Sequence, residues 1–215
     1  MNNLHFSFCD TALMAMPSGA LFVPDTGILC LSDLHLGKSD RIARRSGRML
    51  PPYEVQETLS KLEADILETA PQMVICLGDS FDDLEAATTL ADDMQLWLAR
   101  LQAGRRWVWI EGNHDPGPVN LGGTHSGEIT VGSLTFRHIA TGATAEISGH
   151  YHPKHALAGR SRPAFLYDQD RLIMPAYGTY TGGLASNAAD LQRLFATPPI
   201  AVLTGRKAIA VPTAA

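Results

Sequence analysis

Four short motifs rich in Asp, Asn and His follow apolar segments of this sequence and could together hold metal ions. They are Asp33-Leu34-His35, Gly78-Asp79-Ser80-Phe81-Asp82, Gly112-Asn113-His114-Asp115 and Gly149-His150-Tyr151-His152. Carboxylate, amide and imidazole groups suit Mn, Fe or Zn in mixed sites better than a structural thiolate zinc site, and no Cys takes part. The residue types therefore indicate metal-dependent chemistry.

The spacing within these motifs favours one shared pocket. Asp-x-His and His-x-His place two side chains on the same side of an extended segment. A Gly before a ligand lets the backbone come close to the site. Each motif alone is weak, but all four in this order disfavour the alternative of ordinary surface or core histidines.

The elements that position these motifs are predicted from apolar periodicity. Buried strands are expected at Ile28–Leu31, Met73–Leu77 and Trp107–Ile110, with amphipathic helices at Tyr53–Thr69 and Leu84–Leu101 between them. Ligand crevices form at the carboxyl ends of strands in such α/β sheets, where the motifs stand.

Outside this α/β segment the chain favours short strands. Leu4–Phe8 and Ala20–Val23 are predicted as strands joined by a turn at residues 17–19, and short apolar runs separated by turns follow Pro116. We expect a single domain over residues 1–215: an α/β/β/α sandwich of two mixed sheets flanked by helices.

Composition limits the class of protein. The 215 residues are enough for one sizeable core, and a net charge of −5 argues against coating nucleic acid by bulk electrostatics. Three cysteines, two of them in apolar runs, favour small core residues in a reducing cytosol over a disulfide framework. No apolar run is long enough to span a membrane, and residues 1–19 do not resemble a signal peptide, so a cytoplasmic location is expected.

The motifs resemble those of the calcineurin-like metallophosphoesterases, which share a two-sheet α/β sandwich and a dinuclear metal centre. Further segments are similar to one branch, the DNA-ligase-associated metallophosphoesterases. These segments are Pro51-Pro52-Tyr53, Trp107-Val108-Trp109-Ile110, Asp115-Pro116 and Pro175–Leu184. The resemblance implies a phosphodiesterase, and specifically a DNA endonuclease of a repair module that includes a ligase and a helicase. It also implies two divalent ions, foremost Mn, with Fe, Zn or Ni as alternatives.

The family has one further isolated His, for which this chain offers two candidates. His138 ends an apolar run and is favoured by that strand context, whereas His125 lies among Gly and Ser in a predicted loop. Two positions depart from the branch pattern: Asp82 stands where His is expected, and Ile139-Ala140 stand where Glu-Pro is expected.

The resemblance also implies roles for the residues. Asp79 would bridge the ions, and a bridging hydroxide would attack phosphorus. His114 would stabilise the phosphoryl group and protonate the leaving oxygen. Asp82 either orients this catalytic His or caps a helix, and Asp83 could take either part. The implied ligand sets are Asp33, His35, Asp79 and His152 for one ion, and Asp79, Asn113, His138 and His150 for the other.

Basic residues near the first motif could contact substrate phosphates. Arg41, Arg44, Arg45 and Arg48 would form one stripe if their segment is helical, and the alternative is a solvated face with no partner. Lys154, Arg160 and Arg162 could form a second patch.

Three functions remain open from the sequence. The leading one is cleavage of a phosphodiester, with DNA as the expected substrate. The second is hydrolysis of a small phosphomonoester or nucleotide pyrophosphate by the same chemistry. The third, a non-catalytic binding module, is disfavoured because every expected ligand and His114 are present.

Overall fold

The computed structural model describes residues 2–47, 49–51 and 53–213. One seven-stranded sheet contains the first part of the chain, with strands in sequential order. Its first four strands run antiparallel, and the pairs from the fourth strand onward are parallel. The strands are β1 (Leu4–Phe8), β2 (Thr11–Ala15), β3 (Leu21–Val23), β4 (Ile28–Leu31), β5 (Met73–Leu77), β6 (Arg106–Ile110) and β7 (Thr124–Ser126).

A second, eight-stranded sheet contains the later strands and is also mixed. These are β8 (Glu128–Val131), β9 (Leu134–Arg137), β10 (Glu146–Ser148), β11 (Lys154–Leu157), β12 (Arg160–Tyr167), β13 (Arg171–Ile173), β14 (Ile200–Leu203) and β15 (Ile209–Pro212). Their order is β15-β14-β12-β13-β10-β9-β8, and β11 pairs with β12.

The helices are short apart from one. They are α1 (Lys38–Ser46), α2 (Glu54–Thr69), α3 (Leu84–Thr89), α4 (Asp92–Gln102) and α5 (Ala189–Gln192), with a 3-10 turn at Pro24–Thr26.

Alternation along the central strands builds the layers. In β5, Val74 and Cys76 face the helices, whereas Ile75 and Leu77 face the second sheet. A third apolar cluster covers the outer face of the second sheet, where α5 contributes Leu191. The predicted α/β/β/α sandwich of two mixed sheets is confirmed, although its fourth layer is thin.

Two local predictions were incomplete. The N-terminal region contains an additional strand, β2, because Cys9 and Asp10 adopt left-handed backbone angles and form a tight hairpin turn without the usual Gly or Asn. The single helix expected at Leu84–Leu101 is two helices, because Leu90 and Ala91 have extended backbone angles. The hydroxyls of Thr88 and Thr89 donate to the Glu85 carbonyl just before this break.

Candidate metal centre

The first two motifs lie side by side at the end of β4 and β5. The amide N–H of His35 donates to the Asp79 carbonyl at 2.9 Å, and that of Leu36 donates to the Ser80 carbonyl at 2.9 Å. Main-chain pairing thus continues beyond the two parallel strands. It fixes the position of the Asp33 loop relative to the Asp79 loop.

These loops are not extended, contrary to the expectation for Asp-x-His and His-x-His. Five of the predicted ligands have left-handed backbone angles, with φ between 47° and 72°. Non-glycine residues adopt this region at a cost and persist there when surrounding contacts enforce it, which is common at functional sites. The turns aim the side chains into one pocket, in place of the alternation of a strand. The five are Asp33, His35, Asp79, His150 and His152.

Asp33, His35 and His152 form one group of possible metal donors. One ligand atom from each lies within 4.8 Å of the others. Nε2 of His152 is 3.0 Å from Oδ1 of Asp33 and 3.4 Å from Nε2 of His35. Burial alone would raise the pKa of Asp33, but the contact with His152 outweighs it and the pKa is lowered. The carboxylate is therefore held ionised, as a ligand requires.

Asp79, His138 and His150 form another group with the same spacing. Nδ1 of His138 donates to the Leu77 carbonyl at 2.7 Å, which leaves its Nε2 without a proton when the ring is neutral. That Nε2 lies 3.2 Å from Nδ1 of His150 and 3.0 Å from Oδ1 of Asn113. Four predicted donors thus converge at this position.

Asp79 and His35 also form a group with His114, which places Asp79 between the two clusters. Nε2 of His114 is 4.0 Å from Oδ2 of Asp79, and its Nδ1 donates to the main-chain carbonyl of Asp82 at 2.8 Å. The His114 side chain is 30% exposed, so it is the member of this group that reaches solvent.

The donor set fits divalent metal ions. Oδ1 of Asp33 is buried beside Nε2 of His152. Imidazole nitrogens also face each other in two pairs, His35 with His152 at 3.4 Å and His138 with His150 at 3.2 Å. The pKa of Asp79 is lowered to about 2: burial opposes ionisation, but contacts with His138 and His114 outweigh it. Buried carboxylates and neutral imidazoles aimed at common points are what Zn, Mn or Fe ligation needs.

Asp115 is a supporting residue to which the sequence analysis assigned no role. Its carboxylate accepts N–H bonds from Asp79 at 2.9 Å, Ser80 at 2.8 Å and Gly112 at 3.1 Å, and so ties the β5 loop to the β6 loop. Burial raises its pKa to about 6. The available signal was its place next to His114 within the Gly-Asn-His-Asp motif.

Asp82 contacts a predicted ligand through its side chain. Its Oδ1 lies 2.9 Å from Nδ1 of His35, and its Oδ2 accepts from Arg41 at 2.7 Å. Only its main-chain carbonyl contacts His114. The helix-capping role belongs to Asp83, whose carboxylate accepts the Ala86 N–H at the start of α3.

Arg41, Arg44 and Arg45 of the predicted stripe lie on α1, and two of these arginines have acidic partners. Arg41 pairs with Asp82, and Arg44 contacts Asp83 at 3.1 Å. Arg45 is exposed and has no ion pair within the part of the chain that the structure describes, whereas Arg48 lies outside that part.

In the second basic patch, two residues bind main-chain carbonyls. Lys154 donates to Thr181 at 3.3 Å, and Arg162 donates to Thr204 at 2.6 Å. Arg160 is exposed.

His125 lies away from both donor groups. It belongs to β7, where its Nε2 contacts the main chain of Val119, and it is absent from the donor groups found among the described residues. His138, the favoured candidate, is the one that the fold brings to Asp79.

The sequence model of the calcineurin-like phosphoesterase family matches residues 26–175, which include every predicted metal ligand. The chain belongs to this family. It is accordingly a metal-dependent phosphoester hydrolase, and the family binds divalent metals.

Structural comparison agrees with the family assignment. The crystal structure of nuclease MPE from Pseudomonas putida superimposes with a TM-score of 0.80 and 24% sequence identity, covering 98% of this chain and 100% of that one. No curated protein matches the chain significantly in sequence. Among the described residues, no helix is both long enough and apolar enough to cross a bilayer.

Proposed function

We propose that this phosphoesterase is a phosphodiesterase that cleaves DNA with two divalent metal ions. The observation that carries the proposal is the position of Asp79, which belongs to the donor group of His138 and His150 and also to a group with His35, a member of the other cluster. One ion would be held by Asp33, His35, Asp79 and His152, and the other by Asp79, Asn113, His138 and His150. When bound, two such ions polarise phosphoryl oxygens and make water nucleophilic near neutral pH.

The protein's own groups supply orientation and a proton. The Leu77 carbonyl fixes the ring of His138, and the Asp82 carbonyl fixes the ring of His114. Nε2 of His114 then faces Asp79 and the pocket, where in its protonated form it would donate to the leaving oxygen. Asp82 acts on His35 and His114 as a positioning residue.

Nucleic acid is proposed as the substrate because the solved relative is described as a nuclease and because basic residues lie on α1 beside the pocket. Manganese, a ligase-associated repair module with a helicase, cytoplasmic location and a single domain over residues 1–215 belong to the same proposal. The branch motifs quoted above support manganese and the repair module, the cysteine pattern supports the cytoplasmic location, and the chain length of 215 residues supports the single domain. Hydrolysis of a small phosphoester is the second candidate, favoured by the net charge of −5.

A metal-by-substrate panel tests this proposal. Purified protein with Mn, Mg, Zn or Ni would be given a small phosphodiester, a phosphomonoester, and single- and double-stranded DNA. We expect cleavage of the diester and of DNA, strongest with Mn. Cleavage of monoesters alone would contradict the nuclease assignment.

Three variants guard against a contaminating nuclease. Asp79→Asn and His138→Ala should abolish activity and lower metal content. His114→Ala should lower turnover by about 10²- to 10⁴-fold with metal content retained. The matched control is His125→Ala, which removes a histidine outside the donor groups and should retain both properties.

A further inference from the structure

A groove of about 410 Å³ opens next to the predicted ligands Asn113 and His138. Its other walls come from β8, from the end of β9 and from the loop after β6, and they include Glu111, Glu128, Arg137 and Ile139. Sites for small ligands have volumes of roughly 300 to 1,000 Å³. The groove is therefore large enough for one nucleoside and too small for several nucleotides.

The charges of the groove oppose a second phosphate. Nη2 of Arg137, the cation among its walls, lies 2.9 Å from Glu128, and its Nη1 lies 3.6 Å from Glu146. Glu111 has no ion pair within the described residues. Glu128 thus neutralises the cation and Glu111 remains as an unpaired acidic group, whereas on the α1 side Arg45 is exposed and has no ion pair within the described residues.

The wall of the groove includes an exposed apolar side chain that could contact an uncharged part of the substrate. Ile139 directly follows His138 and is 43% exposed, although it is a large hydrophobic residue. Pro116 also lines the groove. Covering exposed apolar area of this kind with the face of a base is favourable in water.

We propose that this groove is a subsite for one uncharged nucleoside of the phosphodiester substrate, on the side of the scissile phosphate away from α1. The proposal rests on the proposed phosphodiesterase function and adds the direction in which the substrate lies across the site. The substrate's further phosphates extend toward α1.

Two diesters with the same leaving group separate nucleoside binding from chemistry. Methyl p-nitrophenyl phosphate lacks a nucleoside, and thymidine 5′-(p-nitrophenyl phosphate) carries one. We expect wild-type protein to prefer the thymidine ester in kcat/KM, mainly through KM. In Ile139→Ser this preference should fall about fivefold, with methyl ester hydrolysis and metal content unchanged. The matched control is Ile200→Ser on β14, which is 39% exposed and outside the groove.

A charge test uses thymidine 3′-phosphate 5′-(p-nitrophenyl phosphate), which carries an additional phosphate on the nucleoside. The extra phosphate should raise KM, and Glu111→Gln should reduce that increase. An unchanged or lower KM for this substrate in wild-type protein would overturn the assignment of this groove to an uncharged group.

Binding is also measured without turnover, by saturation-transfer NMR of thymidine with protein loaded with diamagnetic Zn. Signal in wild type and Ile200→Ser, and its loss in Ile139→Ser, is the expected result. If wild type hydrolyses the methyl ester but thymidine gives neither an advantage nor an NMR signal, the subsite is wrong and the phosphodiesterase function stands. If neither ester is hydrolysed, the proposed function fails, and the NMR result alone decides the subsite.

Discussion

Nδ1 of His35 lies 2.9 Å from Oδ1 of Asp82, so one side of the imidazole ring faces a buried carboxylate while Nε2 faces His152. Contact between a carboxylate and the far nitrogen of a metal-binding histidine fixes the ring and makes it a better ligand. Burial alone would raise the pKa of Asp82, but the contacts with His35 and Arg41 lower it well below its usual range.

Asp82→Asn is therefore expected to weaken metal binding, by about 10- to 100-fold in affinity. Metal titration followed by calorimetry would measure this directly. Asp83→Asn is the matched control: it keeps an oxygen that can cap α3 and should leave metal affinity unchanged. Wild-type affinity in Asp82→Asn would remove its positioning role.

Gly112→Ala is expected to damage the site and the fold together. A Cβ at Gly112 would clash with the main-chain nitrogen and the carboxylate of Asp79. We expect loss of metal binding and a clear loss of unfolding free energy by urea denaturation, since no flexible group can move aside. Gly117→Ala, where a Cβ meets nothing within 4 Å, should behave like wild type.

Arg45→Ala tests which part of the arginine stripe contacts DNA. Arg41 and Arg44 have acidic partners, so Arg45 is the described member most available to a phosphate. The slope of log affinity for DNA against log salt should fall in magnitude by about 1. Arg206→Ala, an exposed arginine between β14 and β15, is the control. An unchanged slope in Arg45→Ala would favour a solvated face.

Because Lys61 is buried, we expect the free energy of unfolding to depend on pH in the alkaline range. Its ammonium group lies 3.8 Å from the ring centroid of Tyr177 and donates to that residue's carbonyl, and burial lowers its pKa from 10.5 to about 8. Between these values the unfolded chain binds more protons, so stability rises with pH across that window.

Comparison with Lys61→Met isolates this effect. The free energy of unfolding of wild type minus that of Lys61→Met should increase from pH 7 to pH 10 by on the order of 2 kcal/mol. Urea denaturation in the presence of a chelator measures it, and the exposed Lys207→Met serves as control. A constant difference would mean that Lys61 has an ordinary pKa in the folded protein.

The central sheet was predictable because its strands are continuous apolar runs bounded by turns. The strands at Ile28–Leu31 and Met73–Leu77 have the predicted limits. A strand that is buried on both faces is a short, continuous apolar run, and both segments have that pattern and a length typical of strands. The Cys9-Asp10 hairpin turn was not predictable, since it lacks the Gly that usually marks such turns and its left-handed angles are imposed by pairing between β1 and β2.

The site was predictable in residue type and not in geometry. Motifs placed after strands located Asp33 and Asp79, but the turns that aim them depend on the main-chain pairing between their loops. Asp115 acts through hydrogen bonds to residues up to 36 positions away, which no local pattern reveals. Likewise, β7 places His125 against Val119 through its pairing with β6.

Two of the three donor groups take members from both sheets: Asp33 and His35 follow β4, whereas His152 follows β10, and Asp79 follows β5, whereas His138 follows β9. Neither of these two donor groups is complete in one half of the sandwich. Ion binding would therefore act as a cross-link between the halves, strengthening their association by the free energy of metal binding. Chelation should accordingly loosen the sandwich as a whole, visible as faster amide hydrogen exchange in β5 and β10 together.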